Sequence, residues 1–591
     1  MVTVESRTRR RLAAWMLILA IVLSAFVVRL VDIQVVRAEQ LAQESEARRS
    51  IPTTIHGARG DIVDARGVVL ADSVFRYDIT VSPRFVADFR RTDPDTGDRV
   101  TVTVAEAMAS VAAIVEGDPI AMLTDIQAQL AENPQDDHAY LARGVTPEGF
   151  EQVRELGIPW VYWERIPART YPNGQIAGNL VGFLGTDGPQ TGLEYRLNDC
   201  LEATDGEATY ERGADGVKLP GTTVVAQDAV DGGTLRLTID ADVQWFAQQA
   251  IAERATEIGA EWATAVVVRV SDGHLIAAAD WPTVDPNNVN GTAPENLGSR
   301  VFTWPYEPGS TMKSATFAAL FDSGAATLTD QIIAPRRYST IAGFQIGDAV
   351  DTGDTRYTAA GVLMNSSNTG TAVLSERLSL QQRHDYLRAF GFGEPTDVGF
   401  LGEEPGTVPD PSSVDGHTAF TQMFGQGMSA TSAQVASLYQ TLANGGVRAP
   451  LTLVTGCERA DGTVTNLPPS EPERIVGESA ARDVISTMEL VVTQGYLTSQ
   501  LTIPGYRVAA KTGTAEVYEN GAYGRERIVT VAGTAPADNP QFVVVVTYGK
   551  PDTMRVSAAA APTFRSIMTQ VLKTFRVPPS TAPAPSIPLT W

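Results

Sequence analysis

The chain has 591 residues, 43% hydrophobic and 19% charged, which is too long for one ordinary core and too apolar for a disordered or fibrous protein. Its formal net charge of -23 gives a surface that repels phosphate backbones, so no nucleic acid is expected as a partner. The cysteines, Cys200 and Cys457, and the five histidines share no metal-ligand spacing, so neither a metal nor a cofactor is expected. Pairing of the two cysteines stays open, and the plainer reading makes each a small buried hydrophobe.

At the N-terminus, residues 7–11 read Arg-Thr-Arg-Arg-Arg, and residues 12–28 carry no charge. That run reaches the lower limit for crossing a hydrocarbon core of about 30 Å, and Arg29 can snorkel outward at its end. Residues 12–30 are read as a transmembrane anchor and residues 1–11 as a cytoplasmic N-terminus, because the arginines precede the span. A cleaved signal peptide is the competing reading, but its apolar run is shorter and ends in a small-residue cleavage site that is not evident here. No second long apolar run follows, so the chain is expected to be single-pass with its bulk outside the membrane.

From residue 30 to about Ser50, polar and apolar positions mix at helical spacing, as in a helix leaving the membrane. Residues 52–80 carry β-branched runs broken by glycine and predict strands and tight turns. Residues 104–165 read as helical, 171–201 as a Gly-rich stretch, and 232–255 as a strand entering a helix. From Trp262 the pattern is α/β, with a hairpin turning at Ser271, Asp272 and Gly273 and an apolar helix over 311–321. A β-branched strand over 540–550 and a helix to about Phe575 follow, and the proline content of 576–591 reads as a flexible tail.

Three short motifs occur in order: S-T-M-K at 310–313, S-S-N at 366–368 and K-T-G at 511–513. Each alone is common in long chains, and its bland reading is an ordinary helix or loop surface. Together they describe workable chemistry. Pro308 and Gly309 supply a turn that places Ser310 at a helix start, and the i,i+3 spacing puts Lys313 one turn away on the same face. A serine hydroxyl needs a base, and a lysine serves when neutral. Burial beside a second cation, here Lys511, lowers a lysine's pKa. The Ser310 amide at the helix start and one from an edge strand carrying Lys511, Thr512, Gly513 and Thr514 could form an oxyanion hole. Glycine at 513 would leave that strand open to substrate.

With their flanks, Y-E-P-G-S-T-M-K (306–313), M-N-S-S-N-T-G (364–370), the stretch 424–446 and A-A-K-T-G-T-A-E-V (509–517), these motifs resemble the transpeptidase domain of penicillin-binding proteins. Upstream, 59–71, 169–183, 192–194 and 237–244 resemble the non-catalytic pedestal of the class B group. The resemblance implies a pedestal (dimerisation-type) domain over 31–240 and a transpeptidase domain over 241–575 with an antiparallel sheet flanked by helices. It makes Ser310 the acylated nucleophile, Lys313 its base and Ser366 the proton relay. Asn368 would bind the substrate amide, Lys511 and Thr512 would hold the terminal carboxylate, and the Ser310 and Thr514 amides would form the oxyanion hole. Stem peptides ending in D-Ala-D-Ala are the implied substrates and β-lactams the implied inhibitors. A SEDS-type glycosyltransferase and other divisome membrane proteins are the implied partners, since no polymerase segment lies between Arg29 and Trp262. The texture of 299–311 and of the R-x-Y-P segment is closer to septal than to elongation members. A β-lactamase would lack the anchor and the pedestal motifs. An elongation enzyme or a mainly scaffolding protein remains an alternative.

Overall fold

The structure, a computed structural model, describes residues 2–41, 44, 50–92, 97–134, 138–185, 187–211, 221–340, 343–465, 471–519 and 521–591. The chain forms two units, residues 1–58 with 203–231 and residues 59–202 with 232–591.

In the first unit a helix, Val2–Val31, runs on through a π-helical turn, Asp32–Val36. Its apolar side chains are exposed along the whole of 12–31, and Thr8–Val36 is long and apolar enough to cross a membrane. The helix expected as far as Ser50 falls partly on residues 42–43 and 45–49, outside the described residues. The same unit holds an antiparallel sheet of Ser50–Ile55, Gly206–Glu211 and Val224–Gln227. Below it, the Asp205 carboxylate accepts the Gly57 N–H at 3.0 Å and lies 3.0 Å from His56 Nδ1.

The second unit begins with a seven-stranded mixed sheet in which Val69–Val81 pairs with Ile62–Val63, Ala139–Val145 and Val161–Thr170. Helices Val104–Val115, Pro119–Glu132 and Pro147–Glu155 cover one end around Met108, Val111, Ile126 and Trp160. Residues 104–165 are therefore helical as expected, except for the two strands that alternate with the helices. The pedestal motifs meet in one buried cluster. Glu194, fully buried, receives Arg59 Nε at 2.7 Å and Arg169 Nε at 2.6 Å. A Cβ at Gly60 would lie 2.0 Å from Gly233 O, so only glycine lets these two chain segments touch there.

Strand Val454–Glu458, from the C-terminal half, joins the same sheet beside Thr234–Leu237. There the plainer reading of the cysteines is corrected, because Cys200 and Cys457 form a disulfide. The disulfide ties helix Asn198–Leu201 to that strand. Gly233 makes room for it, since a Cβ there would sit 2.7 Å from Cys457 Sγ.

The C-terminal half is built on a five-stranded antiparallel sheet. Its strands are β1 (Trp262–Arg269), β2 (Leu275–Trp281), β3 (Ala509–Glu519), β4 (Ala522–Ala535) and β5 (Phe542–Gly549), in the order β2-β1-β5-β4-β3. Both faces are covered, so the strands read as apolar runs rather than alternating ones. Alternate residues enter opposite cores: Val543 and Val545 face one, Val544 and Val546 the other. Each such valine contributes roughly 1.5–3 kcal/mol by burial. Helix α1 (Ala241–Ile258), N-capped by Asp240, packs on one face with α7 (Ala561–Thr574). The other face carries α2 (Lys313–Asp322), α3 (Ala359–Met364), α4 (Asn368–Ser375), α5 (Ser432–Ala443) and α6 (Glu478–Gln494).

The flexible tail expected over 576–591 is also corrected. Val577 is buried, Ser580 N–H donates to Gly505 O at 2.9 Å, and Ser580 Oγ donates to Asp538 at 2.7 Å. Further on, Thr590 pairs with Tyr357. Proline content signals an extended chain, but here the extended chain finds backbone partners.

Candidate active site

The Ser310 turn is held from three sides. Gly309–Met312 is a 3-10 turn that continues as α2, so Ser310 stands at the helix entrance as its spacing predicts. Gly309 N–H donates to Gly425 O at 3.0 Å, and buried Tyr439 on α5 donates to Thr311 O at 3.0 Å. On the third side lies β3, the sheet's edge strand. Gly513 is needed there for a steric reason that the sequence did not show. A Cβ at 513 would lie 2.9 Å from both Pro308 O and Thr311 Cγ2, so glycine lets β3 close on the Ser310 turn. Thr514, the next residue, is exposed, and Thr512 is nearly buried.

The two lysines are fully buried and meet at one hydroxyl. Ser366 Oγ lies 3.2 Å from Lys313 Nζ and 2.9 Å from Lys511 Nζ. Ser366 adopts φ +59°, a left-handed conformation that costs a non-glycine residue about 1–2 kcal/mol. The bend turns both its carbonyl, 2.5 Å away, and its hydroxyl toward Lys313 Nζ. Asn368 Oδ1 completes the Lys313 cage at 2.7 Å. All three partners are oxygen acceptors for Lys313 Nζ. Burial, and then the Lys511 charge, hold Lys313 well below its usual pKa, with Asp348 opposing. Burial brings Lys511 down to about 7. Among the described residues the Ser310 hydroxyl has no hydrogen-bond partner, and it is half-exposed.

Sequence reasoning missed Asp348. Its carboxylate accepts Ser367 Oγ at 2.8 Å and the N–H groups of Asn368 and Thr369, at 2.5 and 3.0 Å, capping α4. Gly347 O takes Asn368 Nδ2 at 3.1 Å, which turns Oδ1 toward Lys313. Asn368 thus orients the lysine as well as facing the site. No motif marks Asp348, because capping carboxylates occur throughout any chain. Glu307 was also missed. It accepts Gly427 N–H at 2.9 Å and Tyr523 O–H at 2.8 Å, tying the segment before Ser310 to β4.

Comparison with known proteins identifies the family. The chain matches the penicillin-binding protein transpeptidase domain over residues 263–569 and the penicillin-binding protein dimerisation domain over 54–237. It is 33% identical to penicillin-binding protein PbpB of Mycolicibacterium smegmatis over 97% of this chain and 91% of that one. It is 30% identical to peptidoglycan D,D-transpeptidase FtsI of Escherichia coli, over 93% and 89%. Among solved structures, a peptidoglycan synthetase from Bifidobacterium adolescentis superposes with a TM-score of 0.72 at 30% identity, covering 92% of this chain and 100% of that one. Penicillin-binding protein 3 of Mycobacterium tuberculosis, solved with aztreonam, gives 0.69 at 27%, covering 91% and 100%. A transpeptidase domain built around two buried lysines that share one serine hydroxyl, preceded by a dimerisation domain, makes this chain a member of the class B penicillin-binding proteins.

Proposed function

We propose that the chain is a peptidoglycan D,D-transpeptidase that cross-links stem peptides through an acyl-enzyme on Ser310. The observation that carries this is the Lys313–Ser366–Lys511 chain of contacts beside the Ser310 turn. Ser310 Oγ attacks the carbonyl of the penultimate D-Ala while Lys313 takes its proton. The developing oxyanion is met by the Ser310 and Thr514 N–H groups. The peptide C–N bond breaks, and Ser366, recharged from Lys313, delivers the proton to the departing D-Ala nitrogen. An amine from a second stem peptide then attacks the ester, loses its proton back through the relay, and frees Ser310. Lys511 and Thr512 hold the terminal carboxylate. A β-lactam presents a carboxylate and a strained amide to the same groups and acylates Ser310.

The domain division at about residue 240, the cytoplasmic N-terminus and a place at the division septum belong to this proposal. So do a SEDS-type glycosyltransferase and divisome membrane proteins as partners. Relatives named PbpB and FtsI support the septal assignment. The direct test incubates the full chain with a stem-peptide mimic ending in D-Ala-D-Ala and a labelled D-amino-acid acceptor. Exchange product formed by wild type and lost in Lys313→Ala supports the reading, and equal product from both contradicts it.

A further inference from the structure

The chain segment 587–591 returns from the far end of the catalytic half and docks on the start of α3, the short helix that leads into Ser366. Leu589 O accepts the Thr358 N–H at 3.0 Å, Pro588 O accepts the Thr358 hydroxyl at 2.7 Å, and Thr590 pairs with Tyr357. Trp591 anchors the end, its indole N–H on Ile332 O at 3.2 Å and its ring 4.9 Å from the Arg356 guanidinium. Thr358 is the N-cap of α3 and accepts the Gly361 N–H at 3.0 Å. The segment therefore grips the residue that starts the helix. At the other end, Ser366 N–H and Ser367 N–H are bonded to Leu363 O and Val362 O, so the relay serine is mounted on the same six-residue helix.

A second observation shows that the helix is cut to receive the segment. Gly361 lies within α3, where glycine carries an entropic penalty relative to alanine. An alanine Cβ there would stand 1.9 Å from Leu589 O. The glycine leaves room for the approaching backbone.

We infer that residues 587–591 are a positioning strap for the Ser366 relay: by clamping Thr358 they set α3, and through α3 the Ser366 hydroxyl between the two lysines. The inference rests on the reading of Ser310, Lys313 and Ser366 given above. About 9 Å of helix, at 1.5 Å per residue, separates clamp and relay, so a small tilt at one end moves the hydroxyl at the other. A misplacement of about 1 Å in such a constellation slows reaction by up to about a hundredfold.

The test compares four chains: wild type, one lacking 587–591, Gly361→Ala, and the two changes combined. A fluorescent penicillin reads the acylation rate constant and, separately, the burst amplitude, which counts folded sites. Loss of the segment and Gly361→Ala should each slow acylation about tenfold at full amplitude. The combined chain should be no slower than the truncated one, and with the segment gone Gly361→Ala should raise the melting temperature instead of lowering it. Wild-type rates in the truncated chain, reduced amplitude at unchanged rate, or additive losses in the combined chain would each overturn the strap. A wild-type chain that takes up no penicillin would instead sink the reading of Ser310 on which the strap depends.

Discussion

Replacing Asp348 by asparagine tests whether the relay is preorganised from outside the three motifs. The carboxylate accepts two backbone N–H groups and the hydroxyls of Ser367 and Thr369 at the start of α4. Asparagine keeps one acceptor oxygen but turns an NH2 toward partners that need acceptors. A net loss of charge-assisted hydrogen bonding of this kind costs about 1–3 kcal/mol. The stability loss should appear as a lower melting temperature. The functional loss comes through Asn368, whose Oδ1 holds Lys313 Nζ at 2.7 Å, and a loosened cage should slow penicillin acylation about ten- to a hundredfold. A pH profile separates position from charge. Asp348 raises the Lys313 pKa, so removing its charge favours the neutral amine and moves the acid limb of the acylation profile to lower pH. Stopped-flow acylation of Asp348→Asn across pH 5 to 9, beside a thermal melt, reads all three effects. A wild-type rate with an unmoved acid limb would refute the reasoning.

Gly513→Ala should drive β3 off the nucleophile turn, costing roughly 1–3 kcal/mol by overpacking and slowing acylation more than it weakens initial binding; equal effects on both would contradict this. The free chain should acylate most rapidly around neutrality. Burial and the Lys511 charge press Lys313 toward its neutral form, and its protonation sets the acid limb, whereas Lys511, at about 7, loses its charge on the alkaline side. A rate still climbing from pH 7 to 9 would count against a carboxylate-binding Lys511. Folded Lys511 binds its proton less tightly than the unfolded chain does, so global stability should rise from about pH 7 toward the ordinary lysine value of 10.5, measured by denaturant melts. Glu194→Gln should strip the shared counter-charge from buried Arg59 and Arg169 and cost about 3–5 kcal/mol, seen as a fall in melting temperature.

What the sequence made legible follows from locality. Ser310, Lys313, Ser366, Asn368 and Lys511 each sit in a contiguous motif whose glycines and spacing carry meaning without knowledge of the fold, and the structure brings the last four into contact, with Ser310 one turn from Lys313. The hairpin at Ser271–Gly273 and the valine strand β5 were legible for the same reason, since period and turn residues are local signals. Asp348 was not, because it lies 20 residues before Asn368 and an N-capping aspartate looks like any other. The Cys200–Cys457 disulfide spans 257 residues, a separation no spacing rule reaches. The docked segment 587–591 was hidden by its prolines, which report extended backbone and leave its partners unspecified. The close approach of Gly513 to Pro308 O was not legible, since it joins segments about 200 residues apart.

The central claim is that Ser310 is the acylated residue, and intact-mass spectrometry after incubation with penicillin tests it most directly. The account predicts one added penicilloyl mass on the wild-type chain, mapped by proteolysis to the peptide containing Ser310, and none on Ser310→Ala. A folded wild-type chain that gains no mass, or a Ser310→Ala chain that still gains it, would contradict the account.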